Sequence, residues 1–465
     1  LKSWQDECAI FGIWNHPEAS RMAYLGLYAL QHRGQEASGI VTLNEREHLE
    51  HKGFGLVHDV FQETDLDRLK GGAAIGHNRY STTGENERFN IQPLKAVLYN
   101  GPVSLAHNGN IVNSVPLRRD LQSKGSIFQG TNDTEILLHL VSRNQSNDLI
   151  ECLKQELHKL DGAFSMVMLG NDKMIGIRDP QGFRPLVLGK LKHDTGTAWV
   201  LASETCAFDL IGAEFVREIQ PGEIFWCDDK GAYTAYFDQT KEHRPCVFEY
   251  VYFARPDSKV FGRSVYEVRK ELGRQLAREN KVQADIVIPV PDSGVAAALG
   301  YSEASGVPFE FGIIRNHYVG RTFIEPKQNI RNFGVKIKLN PQLDVLKGKS
   351  VVVVDDSIVR GTTSKKIIGL VRQFGAREVH LRIAAPPTVS PCFYGVDTPQ
   401  KNELIAANQS LEEIRKFIGA DTLAYVSQEG LIKAAQSENT KTFCAACFTG
   451  DYPTKLYEGT RSTDQ

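Results

Sequence analysis

VVVVDDSIVRGTTS (351–364) decides how the second half of this chain is read. Four consecutive valines bounded by turn residues predict a strand buried on both faces, as in a parallel sheet. Asp355 and Asp356 stand at its carboxyl end. Gly361, Thr362, Thr363 and Ser364 then open an amphipathic segment, TTSKKIIGLVRQFG (362–375), which predicts a helix. Open α/β sheets bind ligands at this edge. A Gly/Thr/Ser turn offers backbone N–H groups, hydroxyls and a helix N-terminus, which together suit a phosphate monoester. The two acids are placed to hold hydroxyls or a divalent metal. The bland reading is a polar βα turn with a capped helix, but paired acids facing such a loop weigh against it. The Gly-Lys-Ser/Thr of a Walker A loop is absent from this stretch.

Around it, helical and strand patterns alternate. SVYEVRKELGRQLAREN (264–280) and SGVAAALGYSEASG (293–306) predict helices, whereas ADIVIPVP (284–291) and AREVHLRIAAPP (376–387) predict strands. That alternation implies a parallel α/β sheet. VIPVPDSG (287–294) ends a second strand and supplies Asp292, Ser293 and Gly294 where a pyrophosphate would lie. The segment 315–340 is long, basic and rich in breakers, and carries Arg315, Tyr318, Arg321, Arg331, Lys336 and Lys338. Such a segment is either a functional lid or a solvated basic loop.

The first half has another rhythm. Short β-rich runs, among them AAIGHNRYST (73–82), VSLAHNGNI (103–111) and AFSMVMLG (163–170), are punctuated by Gly, Asn and Asp. They favour antiparallel sheets, with helices predicted in 132–144 and 147–160. The change of rhythm sets the boundary in 228–245. At 465 residues, two domains or three are expected. A net charge of −2 gives no electrostatic case for nucleic acid or an anionic membrane. No apolar run reaches the roughly 18 residues of a spanning helix, and residues 1–7 lack the apolar core of a signal peptide.

Cys8 precedes a short apolar strand, and taken alone it reads as a core thiol. LQHRGQEASGI (30–40), GHNRYSTTG (76–84), AHNGNI (106–111) and QGTNDTE (129–135) change that reading. Asn108 beside Gly109 can form an oxyanion hole. Arg79 and Asp133 can grip the carboxylate and amine of an amino acid. This constellation closely resembles the class II, N-terminal nucleophile glutamine amidotransferases. The 351–364 stretch is similar to the phosphoribosyl pyrophosphate (PRPP) motif of type I phosphoribosyltransferases. The joined pair, from Cys8 to about Tyr452, resembles the glutamine PRPP amidotransferase family.

The resemblance implies a four-layer αββα N-terminal sandwich and a parallel-sheet phosphoribosyltransferase fold. It divides the chain into a propeptide (1–7), a glutaminase domain (8–237), a phosphoribosyltransferase domain (238–440) and a C-terminal segment (441–465). Glutamine would be hydrolysed at Cys8, with Asn108 and Gly109 holding the oxyanion and Arg79, Thr82, Asp133 and Gly34 binding the substrate. The base would be the α-amine of Cys8, which exists only once residues 1–7 are removed. Ammonia would pass to PRPP, held by Asp355, Asp356, Arg360, Gly361, Thr362, Thr363 and Ser364. Magnesium would sit at Ser293, Asp355 and Asp356, under a lid carrying Arg315, Tyr318, Arg321 and Lys338. The product would be 5-phosphoribosylamine. One departure is Ala9, where the family usually has Gly after the nucleophile.

Of eight cysteines, only Cys444 and Cys447 form a CxxC pair. By spacing alone the pair is redox-active, zinc-binding or incidental. Cys246 and Cys392 each sit beside Pro and an aromatic residue. One branch of the resembled family carries a structural [4Fe–4S] cluster on four cysteines in these contexts, with zinc as the alternative. Cys152, Cys206 and Cys227 read as packing residues. The resemblance also implies a homotetramer, feedback by purine nucleotides and a cytoplasmic enzyme, with a plastid stroma as the alternative. Two rivals are considered. Another class II amidotransferase would need a sugar-isomerase or ATP-pyrophosphatase domain, which 351–364 argues against. A non-catalytic PRPP sensor would carry a DNA-binding segment rather than a glutaminase half.

Overall fold

The structure is a computed structural model of the 465-residue chain and describes residues 8–80, 88–99, 101–317 and 339–457. Expectations for residues 1–7, Thr82, Tyr318, Arg321, Arg331, Lys336 and Lys338 lie outside the described residues.

Two antiparallel sheets face each other in the first half. One has seven strands in the spatial order Glu214–Glu218, Val187–His193, Gly196–Ala202, Ala9–Trp14, Ala73–Arg79, Ala37–Asn44, Glu47–Phe54. The other has six, in the order Gly231–Tyr236, Glu223–Asp228, Met174–Arg178, Gly162–Leu169, Gly101–Ile111, Leu94–Leu98. The period of two explains how one strand serves two cores. Ile10 and Trp14 point into the layer between the sheets, with Ile75, Ala106, Val167 and Leu201. Phe11 and Ile13 point outward, under the helix Ala19–Ala29. Gly12 lies where the sheets press close together, since a Cβ there would be 2.7 Å from Val167 and Met174. Helices Glu135–Arg143 and Leu149–Leu157 cover the second sheet through Leu137 and Leu153. The layers therefore run helix, sheet, sheet, helix.

The second half is a four-stranded parallel sheet ordered Ile286–Pro289, Ser350–Asp355, Glu378–Ile383, Thr422–Tyr425. The valine run behaves as the sequence predicts. Val352 and Val354 pack under helices Val265–Glu279 and Val295–Ser305, and Val351 and Val353 under Thr362–Gln373 and Leu411–Ile418. Each buried valine contributes about 1.5–3 kcal/mol. The short strand Thr422–Tyr425 was not singled out by its sequence, which carries too few residues to show a period. Among the described residues no helix is long and apolar enough to cross a membrane.

Candidate active sites

The first site forms at one edge of the sandwich. Cys8 is buried at the start of strand Ala9–Trp14, and its Sγ donates to the Tyr80 carbonyl at 3.4 Å. The antiparallel register sets Ala9 opposite Asn78, which brings Arg79 beside the thiol. Burial pushes the Arg79 guanidinium down, while the nearby Cys8 and Glu36 push it up. Gly34 lies against the same strand, and a Cβ there would come within 2.7 Å of the Asn78 carbonyl.

The facing sheet delivers Asn108 and Gly109. His77 Nε2 reaches the His107 carbonyl at 3.1 Å, which ties the two sheets together just before Asn78 and Arg79 on one strand and Asn108 and Gly109 on the other. Asn108 Nδ2 is buried with no hydrogen-bond partner among the described residues. Gly109 has φ +144°, and a Cβ would lie 2.1 Å from the Ala163 carbonyl, so only glycine fits. The Asp133 carboxylate accepts from Ile111 N at 2.8 Å and lies 3.9 Å from His107 Nδ1. Burial holds His107 below its ordinary value despite Asp133, and holds His77 down at about 3. Cys8, Gly34, Arg79, Asn108, Gly109 and Asp133 thus share one sandwich edge. Cys152, Cys206 and Cys227 are buried in the apolar cores.

The second site lies at the carboxyl edge of the parallel sheet. Asp355 and Asp356 are 6 % and 8 % exposed. Burial, then the Asp356 charge, raises Asp355 well above the usual carboxylate range. Asp356 accepts from Ser357 Oγ at 2.5 Å. Gly361 adopts φ +72° and starts the helix, leaving Thr362 and Thr363 exposed and Ser364 buried. Pro289 pairs with Val354, so the loop carrying Ser293 leaves the sheet beside Asp355. Two basic residues are paired with acids: Arg315 with Asp292 of that same loop, and Arg360 with Glu403 at 2.8 Å.

Cys246, Cys392, Cys444 and Cys447 line one small cavity with Phe248 and Tyr394. A parallel bridge joins Cys246 to Cys444, and Tyr394 N donates to Cys392 Sγ at 3.3 Å. Burial and the neighbouring thiols push Cys444 up to about 12 and Cys447 well above its ordinary value. Among the described residues no group of three or more His, Cys, Asp or Glu is set to hold a metal ion as it stands.

Residues 77–209 match the family model of a glutamine amidotransferase domain, and residues 264–388 that of a phosphoribosyl transferase domain. The amidophosphoribosyltransferase of Bacillus subtilis (strain 168) is 48% identical over 464 residues, covering 99% of this chain and 97% of its own. The chain belongs to the amidophosphoribosyltransferase family. It is accordingly an enzyme, both a glutamine amidotransferase and a glycosyltransferase. Amidophosphoribosyltransferase 2, chloroplastic, of Arabidopsis thaliana is 53% identical over 455 residues, covering 98% of this chain and 80% of its own. A solved glutamine PRPP amidotransferase from B. subtilis, complexed with ADP and GMP, matches with a TM-score of 0.91 at 48% identity, covering 97% of this chain and 98% of that one.

Sequence reasoning missed a set of buried charges behind the first site. Arg33, Arg184, Glu204 and Glu249 are each no more than 1 % exposed. Arg33 Nε donates to the Cys8 carbonyl at 3.2 Å. Arg33 lies inside the quoted 30–40 stretch, but nothing local separates it from a surface arginine.

Proposed function

We propose that the chain hydrolyses glutamine at Cys8 and transfers the ammonia to PRPP, giving 5-phosphoribosylamine, glutamate and pyrophosphate as the committed step of purine synthesis. The observation that carries this reading is the buried Asn108 Nδ2, without a hydrogen-bond partner among the described residues, at the edge that also holds Cys8 and Arg79. A buried donor without a partner costs about 1–3 kcal/mol. An oxyanion arriving beside it repays that cost in the transition state, where it accelerates the reaction.

The α-amine of residue 8 takes the thiol proton, the Cys8 sulfur attacks the glutamine carboxamide carbon, and the negative charge passes to the oxygen held by Asn108 and the Gly109 N–H. The C–N bond breaks as the nitrogen takes a proton from the ammonium of residue 8, and ammonia leaves. Water, deprotonated by the regained amine, cleaves the thioester to glutamate. This chemistry needs the amine freed from Glu7, so residues 1–7 are a propeptide in this reading. Arg79 and Asp133 hold the α-carboxylate and α-amine, and Gly34 and Thr82 are assigned to the same substrate. In the second site ammonia attacks C1 of PRPP as the bond from C1 to the pyrophosphate oxygen breaks, with inversion. The 361–364 turn, with Arg360, holds the 5-phosphate, and the basic residues Arg315, Arg321 and Lys338, with Tyr318, close over the pyrophosphate.

Magnesium fits the donor set of Ser293, Asp355 and Asp356, because two buried carboxylates repel each other until a cation joins them. When bound it would neutralise the pyrophosphate charge. Four thiols round one small cavity, with burial and the neighbouring sulfurs pushing Cys444 and Cys447 up, likewise fit a soft metal group, since binding a metal stabilises the thiolates that this setting otherwise disfavours. We assign a structural [4Fe–4S] cluster there, with zinc as the alternative. The domain division 8–237, 238–440 and 441–465, a homotetramer, purine-nucleotide feedback and a cytoplasmic or plastid-stromal site belong to the same reading. The test is direct assay of phosphoribosylamine formation from PRPP with glutamine or ammonia, with iron, sulfide and zinc quantified in the same sample. No product from either nitrogen donor would contradict the function; zinc without iron would contradict the cluster.

A further inference from the structure

The charged residues behind Cys8 form a continuous chain between the two halves. Arg33 donates to Glu249 at 2.9 and 2.8 Å and to Glu204 at 2.6 Å, while its Nε holds the Cys8 carbonyl. Arg184 approaches Glu249 at 3.4 Å and donates twice to the Tyr394 carbonyl, at 3.0 and 2.6 Å. Glu249 itself is not a residue of the glutaminase sandwich. It begins the turn Glu249–Phe253, whose Tyr250 and Val251 pack in the core beneath helix Val265–Glu279. From that helix, buried Arg269 donates to the carbonyls of Tyr250, Tyr252 and Ala254 at 2.7, 2.8 and 2.8 Å.

A surface pair with this geometry would carry little meaning. Here two arginines and two glutamates are fully enclosed, which costs several kcal/mol per ion before pairing returns it. Such a cluster is a poor way to gain stability and a good way to fix a position. The position fixed is the backbone of residue 8, which carries both the thiol and the α-amine.

We infer that Glu249 is a positioning residue for glutamine hydrolysis: from the phosphoribosyltransferase half it orients Arg33, and Arg33 sets the Cys8 backbone so that the thiol meets the amide carbon. The inference rests on the reading of Cys8 as the nucleophile. It makes the glutamine site incomplete without the second half, although every group that touches glutamine lies in the first. Misplacement of a reacting group by about 1 Å costs on the order of a hundredfold in rate, so the effect falls on kcat rather than on glutamine binding by Arg79 and Asp133.

The test uses the full-length, processed enzyme and compares Glu249→Gln, the charge-balanced pair Glu249→Gln/Arg184→Gln, Arg33→Lys and Cys8→Ala. Arg33→Lys keeps the buried charge but loses the planar fork. Kinetics of glutamine hydrolysis, ammonia-dependent synthesis and alkylation of Cys8 by iodoacetamide are measured for each. In whichever of the first three variants fold, kcat for glutamine falls by about tenfold or more while KM for glutamine stays within about twofold. Alkylation slows and ammonia-dependent synthesis is retained. Glutaminase kcat within twofold of the parent in any folded variant of the three overturns the inference, as does a parallel loss of both activities. If Cys8→Ala still hydrolyses glutamine, the reading of the nucleophile fails instead.

Discussion

The two sites are built on opposite plans. At the glutamine edge nearly every working side chain is buried and held: Cys8, Arg79, Asn108 and Asp133 are each 9 % exposed or less. At the phosphoribosyl edge the two acids and Ser364 are buried, while Asp292, Thr362 and Thr363 face solvent. The difference follows from the sheets. An antiparallel sandwich ends in strand termini pressed between two cores, so the site forms as the fold forms. An open parallel sheet ends in loops, which gain their partners from the ligand. The first site therefore works by preorganisation, and the second depends on what binds it.

Four experiments would sharpen that contrast or break it. Asp355→Asn is expected to lower synthesis from both glutamine and ammonia by about a thousandfold, since it removes a charge that the proposed magnesium needs; equal loss in the two assays checks it. Asn108→Ala is expected to lower glutaminase kcat by about a hundredfold and to spare ammonia-dependent synthesis, as for other oxyanion donors. If Asn108→Ala also lowers ammonia-dependent synthesis, the two sites are not separable as described.

The third concerns pH. Burial depresses His77 to about 3 and His107 below its ordinary value, so the native state binds protons at both less readily than the unfolded chain, which protonates them near 6.5. Their contribution to stability is therefore present above about pH 6.5 and is lost as pH falls below it, for His77 progressively toward about 3. The slope is at most about 1.4 kcal/mol per pH unit for each histidine. Denaturant midpoints between pH 7.5 and 5 should fall, and His77→Gln should flatten the decline. The smallest effect is expected of Arg360→Ala. Its guanidinium already bonds Glu403, an exposed pair of about 0.2–1 kcal/mol, so KM for PRPP should rise only about threefold with kcat unchanged.

Legibility followed the same division. The phosphoribosyl edge could be read from one stretch, because a valine run, two acids and a Gly/Thr/Ser turn are neighbours in sequence as well as in space. Asn108, Gly109 and Asp133 were readable only as scattered motifs whose convergence depends on sheet pairing. The Arg33–Glu249 contact spans 216 residues and crosses from one half to the other, so no local pattern announces it. The four cysteines were similarly ambiguous by spacing, and it is the fold that brings Cys246 against Cys444 and sets all four round one cavity.

The most direct measurement is the ratio of glutamine-dependent to ammonia-dependent phosphoribosylamine formation in the parent enzyme and in Cys8→Ala, both with residues 1–7 removed. Glutamine-dependent synthesis should vanish in the variant while the ammonia-dependent rate stays within about twofold, since only the first site uses the thiol. Retained glutamine-dependent synthesis, or loss of both rates together, would contradict two chemically separate sites joined by ammonia.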